Sequence, residues 1–318
     1  MFRKMLGVAL LATALGTTLG SAALAQDAKT IGVSIPAADH GWTAGVVYHA
    51  ERVAELIRKE HPNANVIVKT SPDPASQANA IQDLAVQGLD ALVILPTDPD
   101  PLVNAIKEVK AKGTFVTIVD RAPSVMDSSV RDLYVAGNNP ALGQTAGEYI
   151  KANTPDAQVV VIRGLPIPID QQRQDGFDKG IEGSNVKVLD RQFGNWNRDD
   201  AFKVMQDYLT KYPKIDVVWC QDDDMAVGVL QAIEQAGRTD IQYVVAGAGS
   251  KEMVKKVMDG DKMIPVDVLY PPAMVGTAME LTAAAIFNQV PVHGTYTLDA
   301  TLITKENAAN YYFPDSPF

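Results

Sequence analysis

The chain has 318 residues, 47% of them hydrophobic and 21% charged, with 28 basic against 38 acidic side chains and a single Cys. That composition excludes a disordered or fibrous chain, makes nucleic acid and anionic membrane poor partners, and rules out an intramolecular disulfide. At roughly 150 residues per domain, the length fits two domains that each bury a core.

Met1 to Ala25 reads as a secretory signal peptide: Arg3 and Lys4 open it, an apolar run follows from Leu6 to Leu15, and Ala23-Leu24-Ala25 precedes Gln26. The apolar run is too short for an ordinary membrane-spanning helix. The only Cys, Cys220, is far from the cleavage junction where a lipid anchor would need one. The expected product is a periplasmic protein cleaved near Ala25, and the loss of Arg3 and Lys4 takes its net charge from −10 to −12.

From Thr30 onward, short β-branched runs alternate with segments of helical period, the pattern of parallel sheets covered by helices. The predicted strands are Thr30 to Ile35, Asn65 to Lys69, Ala91 to Leu95, Phe115 to Val119, Val159 to Ile162, Val217 to Cys220, Tyr243 to Ala246 and Pro265 to Leu269. Most are apolar throughout, as strands buried on both faces are. Between the first two, Val46, Val47, Ala50, Val53, Ala54 and Ile57 recur at helical spacing, with Glu51, Glu55, Arg58 and Lys59 on other faces. Further helices are predicted over Pro74 to Gln87, Pro99 to Lys112, Ala141 to Ala152, Asp199 to Thr210, Met225 to Ala236 and Ala273 to Asn288. Pro99 suits a first helical turn, and Gly88, Gly113 and Gly237 fall at C-cap positions. The fold class is α/β, with two doubly wound parallel sheets.

In such sheets ligands bind beyond the carboxyl ends of the strands. The first of those loops, Pro36 to Trp42, has neither the glycine fingerprint of a dinucleotide site nor a Lys-bearing phosphate loop, and Gly247-Ala248-Gly249-Ser250 lacks the third glycine. There is no Gly-x-Ser-x-Gly elbow, and Cys220 has no His near it in sequence. His40, His49, His61 and His293 show no zinc-site spacing. No catalytic residue, metal ligand or cofactor is therefore assigned.

The loops carry instead Asp39, His40, Trp42, Asp120-Arg121, Arg173, Trp196 and Gln221-Asp222-Asp223. A carboxylate only accepts hydrogen bonds and a guanidinium only donates them, so one hydroxyl satisfies both, and flanking aromatics suit the C–H face of a sugar. Plainer roles stand beside these. Asp120-Arg121 reads equally as a solvated ion pair, the tryptophans as packing residues, one of Asp222 to Asp224 as a helix N-cap, and Cys220 as core.

At these residues the sequence resembles the periplasmic sugar-binding proteins of the ribose and galactose type, the type I substrate-binding components of ABC transporters. The matching stretches are Thr30-Ile31-Gly32-Val33, Ile94 to Asp98, Val119-Asp120-Arg121, Arg173-Gln174-Asp175-Gly176-Phe177 and Gln221 to Gly228. The resemblance implies two lobes joined by a three-segment hinge, with crossings near Gly137, Tyr270 and Asp299. One lobe would comprise residues 26–137 plus 271–299, the other 138–270 plus 300–318. It implies ligand-binding roles for Asp39, His40, Trp42, Asp120, Arg121, Asn139, Arg173, Trp196, Asp222 and Tyr270, the two tryptophans sandwiching the ring. Asp222 stands where ribose binders commonly have Asn, and Tyr270 where they have Gln. Ala248 replaces an Asp usual at that strand end, and Asp267 is expected to compensate. The implied ligand is a pentose, hexose, polyol or amino sugar, with neutral sugars ranked above cationic ones because Arg121 and Arg173 offset the carboxylates. The implied partner is an ABC-transporter permease, with a chemoreceptor or sensor kinase as the alternative. A sugar-responsive repressor would need an N-terminal DNA-binding module, which the signal peptide replaces, and an exported sugar-cleaving enzyme does not fit the resemblance.

Overall fold

The computed structural model describes residues 28–318, so the expected signal peptide at Met1 to Ala25 lies outside the described residues. In chain order the strands are β1 (Lys29–Pro36), β2 (Ala64–Ser71), β3 (Ala91–Ile94), β4 (Phe115–Val119), β5 (Leu133–Gly137), β6 (Gln158–Arg163), β7 (Lys187–Phe193), β8 (Val217–Cys220), β9 (Tyr243–Ala248), β10 (Asp267–Leu269), β11 (Gly294–Leu298) and β12 (Leu302–Ile303). The helices are α1 (Gly41–Glu60), α2 (Pro74–Val86), α3 (Val103–Ala111), α4 (Asn139–Asn153), α5 (Pro168–Ile181), α6 (Arg198–Lys211), α7 (Asp223–Ala236), α8 (Lys251–Asp259) and α9 (Met274–Phe287).

Two six-stranded sheets result, ordered β2-β1-β3-β4-β5-β11 and β7-β6-β8-β9-β10-β12. All neighbours are parallel except β12, which runs antiparallel to β10. Each sheet is doubly wound, with a reversal of strand order beside its first strand. Helices follow strands directly, so the N-termini of α1, α4, α5 and α7 stand at the carboxyl edges of the sheets, where a ligand crevice forms. The chain passes between sheets after β5, after β10 and after β11.

Every strand read from the sequence is present, but four were not foreseen: β5, β7, β11 and β12. Three of these lie at a sheet edge, where one face or one side meets water and the apolar signal thins. The C-cap glycines Gly88, Gly113 and Gly237 all have positive φ, at 79°, 91° and 60°. Pro99 precedes a short 3-10 turn that leads into α3. Two helices, α5 and α8, were also missed. In α5 the buried face includes Gly176 and Gly180, and glycines give no hydrophobic period.

Those glycines serve a close helix contact. A Cβ on Gly176 would stand 2.0 Å from Pro140 O, and one on Gly143 of α4 would stand 1.8 Å from Arg173 O. Gly147 and Gly180 continue the seam. Its effect is to fix the backbone of Arg173 against the start of α4. Behind this seam, Phe177 stacks on the fully buried Trp219 with ring centroids 4.2 Å apart.

The end of the chain touches both halves of the molecule. Lys251 Nζ of α8 donates to Pro314 O and Ser316 O, at 3.2 and 2.7 Å, whereas the Phe318 ring packs beside Gly41 and Gly45 of α1. Among the described residues no helix is long and apolar enough to cross a membrane.

Candidate functional site: a chamber between the two sheets

A chamber lies between the carboxyl edges of the two sheets. Its wall combines His40, Trp42, Asp120 and Arg121 from the first half with Ile169, Arg173, Trp196, Asp222 and Ala248 from the second, and Tyr270 from a crossing segment. Both tryptophans are 6% exposed, so the chamber is closed over. At the rim, Gly41 N–H of α1 donates to Asp224 Oδ2 of α7 at 2.6 Å, joining the two halves directly.

Local backbone conformation aims these side chains. Asp120 ends β4 with φ 60° and Trp196 follows β7 with φ 52°, both in the left-handed region that costs a non-glycine residue of order 1 kcal/mol or more. Tyr134 Oη donates to Asp120 O at 2.6 Å and holds that turn. Trp196 needs Gly164 beneath it, because a Cβ there would lie 2.0 Å from Trp196 Nε1. Trp42 sits in the first turn of α1, and its Nε1 donates to Tyr270 O at 3.0 Å.

The charged groups are held from behind. Arg121 Nη1 donates to Pro96 O and Thr97 O, at 3.2 and 2.8 Å, while its Nε is buried without a partner. Arg173 Nε donates to Asn139 Oδ1 at 2.9 Å and Nη1 to Gln221 O at 2.7 Å. Its guanidinium carbon lies 4.5 Å from the Tyr270 ring centroid and 5.6 Å from that of Trp196. Asp222 is the N-cap of α7, where its Oδ1 accepts from Asp224 N and Met225 N. The capping role and the chamber position coexist in one carboxylate, with Oδ2 as the oxygen that a ligand can use. Trp196 Nε1, like Arg121 Nε, is buried with no partner.

Burial pushes the Asp222 carboxyl well above the usual range, with Asp223 and Asp224 adding to the effect. Burial likewise lowers the His40 pKa below 6.5; Asp39 opposes this and Arg121 reinforces it. The imidazole is therefore neutral at neutral pH and serves as a hydrogen-bonding group. Its Nδ1 lies 2.6 Å from Thr43 Oγ1.

Three residues expected at the ligand stand outside the wall. Asp39 is exposed on the outer cleft, with its side chain 75% accessible and drawn toward Thr43 and His40. Asn139 lies behind the chamber, between Arg173 and Tyr270. Asp267 does not stand in for an acid at Ala248. Its oxygens accept from Val268 N and Gly249 N, at 2.7 and 3.1 Å, and it lies near Asp223 behind the wall. Ala248 itself has φ 143° and faces the chamber as an apolar contact. Ile169 also lines the chamber and was missed; it follows the proline-rich loop after β6, a strand-end loop whose position was the available signal. Cys220 is fully buried core. Among the described residues no group of three or more His, Cys, Asp or Glu is placed to hold a metal ion.

The Asp223 and Asp267 carboxyls share a buried environment that raises the pKa of Asp267 far above its ordinary 3.8, with Asp267 the protonated partner. The folded chain keeps that proton where the unfolded chain has lost it, so this pair's contribution to stability falls as pH rises from 3.8 through the raised value. Asp267→Asn cannot ionise; it gives up one of the two accepted backbone hydrogen bonds at every pH, so the change of its midpoint with pH is the quantity to compare. Its unfolding midpoint is expected to gain on that of the wild type by several degrees between about pH 4 and pH 8, since one pKa unit is about 1.4 kcal/mol and each kcal/mol about 2–4 °C. Parallel midpoint curves would show that the pair holds no such proton.

Comparison with known proteins adds to this geometry. A family model described as a periplasmic binding protein domain matches residues 31–289. The ribose import binding protein of Escherichia coli (strain K12) is 28% identical over 306 residues, covering 95% of this chain and 99% of its own. A xylitol-binding protein of Mycolicibacterium smegmatis is 29% identical over 257 residues, covering 76% of this chain and 68% of its own. Among solved structures, a galactofuranose binding protein superposes with a TM-score of 0.79 at 24% identity, covering 91% of this chain and 100% of that one.

Proposed function

Since the chain belongs to the periplasmic binding protein domain family, we propose that it is a periplasmic receptor that captures one sugar or polyol molecule between two closing lobes and delivers it to an ABC-transporter permease. The observation that carries this reading is the closed chamber, whose wall sets carboxylates and guanidiniums from both halves around two buried tryptophans. Each hydroxyl of a polyol can donate to Asp120 or Asp222 and accept from Arg121 or Arg173, and the aromatic faces cover its C–H surface. Binding and release are the whole reaction; no bond is made or broken.

In this reading residues 26–137 with 271–299 move as one lobe and 138–270 with 300–318 as the other, about crossings near Gly137, Tyr270 and Asp299. Closure draws its free energy from contacts that the ligand makes with both lobes at once. The leader is removed near Ala25. The charges of the wall favour a neutral ligand over an amino sugar, because Arg121 and Arg173 offset Asp120 and burial disfavours the ionised form of Asp222.

A signalling role would use the same clamp. One structural neighbour at 23% identity is a fructose binding periplasmic domain of a hybrid two component system, and a chemoreceptor or sensor kinase reading the closed form is the second reading. A thermal-shift screen of the mature protein, refolded free of copurified ligand, tests the first against pentoses, hexoses, polyols, amino sugars and furanosides. A ligand at about 100 times its Kd adds roughly 2.7 kcal/mol, a clear rise in midpoint. A correctly refolded sample that responds to none of them would overturn the sugar assignment.

A further inference from the structure

Tyr270 has more polar connections than a ligand contact needs. Its hydroxyl donates to Asp120 Oδ1 and accepts from Asn139 Nδ2 at 2.9 Å, and Asn139 Oδ1 in turn accepts from Arg173 Nε. Asp120 closes β4 in the first half and Arg173 lies on α5 in the second, so one phenol links the main acceptor of one lobe to the main donor of the other. The ring is 2% exposed and lies flush on Gly137, where a Cβ would come within 2.2 Å of Tyr270 Cε2. Burial and the neighbouring Asp120 push the phenol pKa up, so it keeps its proton and stays a donor.

The engaged oxygen has a chemical consequence. A carboxylate oxygen has two lone-pair sites, so the phenol takes one of the two on Asp120 Oδ1 and leaves Oδ2 as the oxygen with both sites open to hydroxyls. We propose that Tyr270 is the specificity-setting and positioning residue of the chamber: it takes up an acceptor site on Asp120 Oδ1, directing ligand hydroxyls to Oδ2, and, through Asn139, orients Arg173. This rests on the sugar or polyol reading above and names the contact that Tyr270 controls, the direction from which ligand hydroxyls reach Asp120. It also explains why Asn139 lies behind the wall, since Asn139 transmits the position of Tyr270 to Arg173.

Two measurements test it. The first needs no ligand: unfolding midpoints of Tyr270→Phe, Asn139→Ala and the double variant. A connected network predicts that the double variant loses clearly less than the two single losses added, as residues sharing one hydrogen-bonded chain do; additive losses would overturn the network. The second is calorimetry on wild type and Tyr270→Phe with D-ribose, 2-deoxy-D-ribose, xylitol and D-allose. Freeing Asp120 Oδ1 should change the order of affinities and raise the preference for D-ribose over its deoxy analogue about tenfold. A uniform loss across the probes would make Tyr270 an ordinary contact, and unchanged ratios with only a lower midpoint would make it a packing residue; either overturns the proposal. If none of these four binds wild type, the sugar found by the thermal-shift screen and its deoxy analogue take their place; a screen with no hit sinks the sugar reading, and the ligand-free cycle still decides whether the network exists.

Discussion

Arg121→Ala is expected to abolish measurable binding of whichever sugar or polyol the screen identifies, while the ligand-free midpoint moves little. The side chain is held by two main-chain carbonyls, Pro96 O and Thr97 O, and brings to the chamber a buried Nε that has no hydrogen-bond partner and lies 4.0 Å from Asp120 Oδ2. A charge-assisted hydrogen bond contributes about 1.5–3 kcal/mol. Losing two such bonds to the ligand weakens binding on the order of a hundredfold or more. Asp120→Ala should be as damaging to binding and worse for the fold. It strands the Tyr270 hydroxyl and places Ala at φ 60°. Asp120→Asn separates the two effects, because Asn tolerates that backbone and retains an acceptor. Calorimetry beside circular dichroism decides the matter; near-normal affinity in a folded Arg121→Ala protein would remove this residue from the site.

Gly143→Ala should be among the most harmful glycine-to-alanine changes at the described residues. The added Cβ would stand 1.8 Å from Arg173 O, a main-chain atom that cannot turn aside. Helices α4 and α5 must separate, and overpacking of this kind costs about 1–3 kcal/mol or more. The displaced backbone is that of Arg173, so affinity should fall together with the midpoint. Gly237→Ala is the control: no atom lies within 4 Å of its added Cβ, and only the positive φ opposes it. A Gly143→Ala protein as stable as wild type would show that the helices can part freely.

Much of the fold was legible because parallel strands covered on both faces must be apolar along their length. Val217 to Cys220 and Ala91 to Ile94 are fully buried, and both read as strands. The edges were not legible. Lys187–Phe193 carries Asp190 and Arg191, which the edge position allows, and Gly294–Leu298 buries none of its residues fully. For the site, the rule that ligands gather at strand carboxyl ends pointed to His40, Trp42, Asp120, Arg121, Arg173, Trp196 and Asp222, and the family resemblance added Tyr270; all eight line one chamber. Side-chain direction escaped it. Asp39 and His40 are adjacent, yet one faces the outer cleft and the other the chamber. Asp267 follows the pleat of β10 away from the ligand, toward Asp223, a partner forty-four positions earlier that no local pattern announces.

The rim contact between Gly41 N and Asp224 Oδ2 bears on time as well as on affinity. A ligand held behind it, under two tryptophans, cannot leave by breaking its own hydrogen bonds one at a time; the lobes must part first. Escape then has a barrier of its own, set by the protein, and a poorly fitting guest is retained for at least as long as the lid takes to open. Loading and unloading become separate events. A partner that prises Gly41 from Asp224 would shorten the residence time of any cargo without touching the cargo itself.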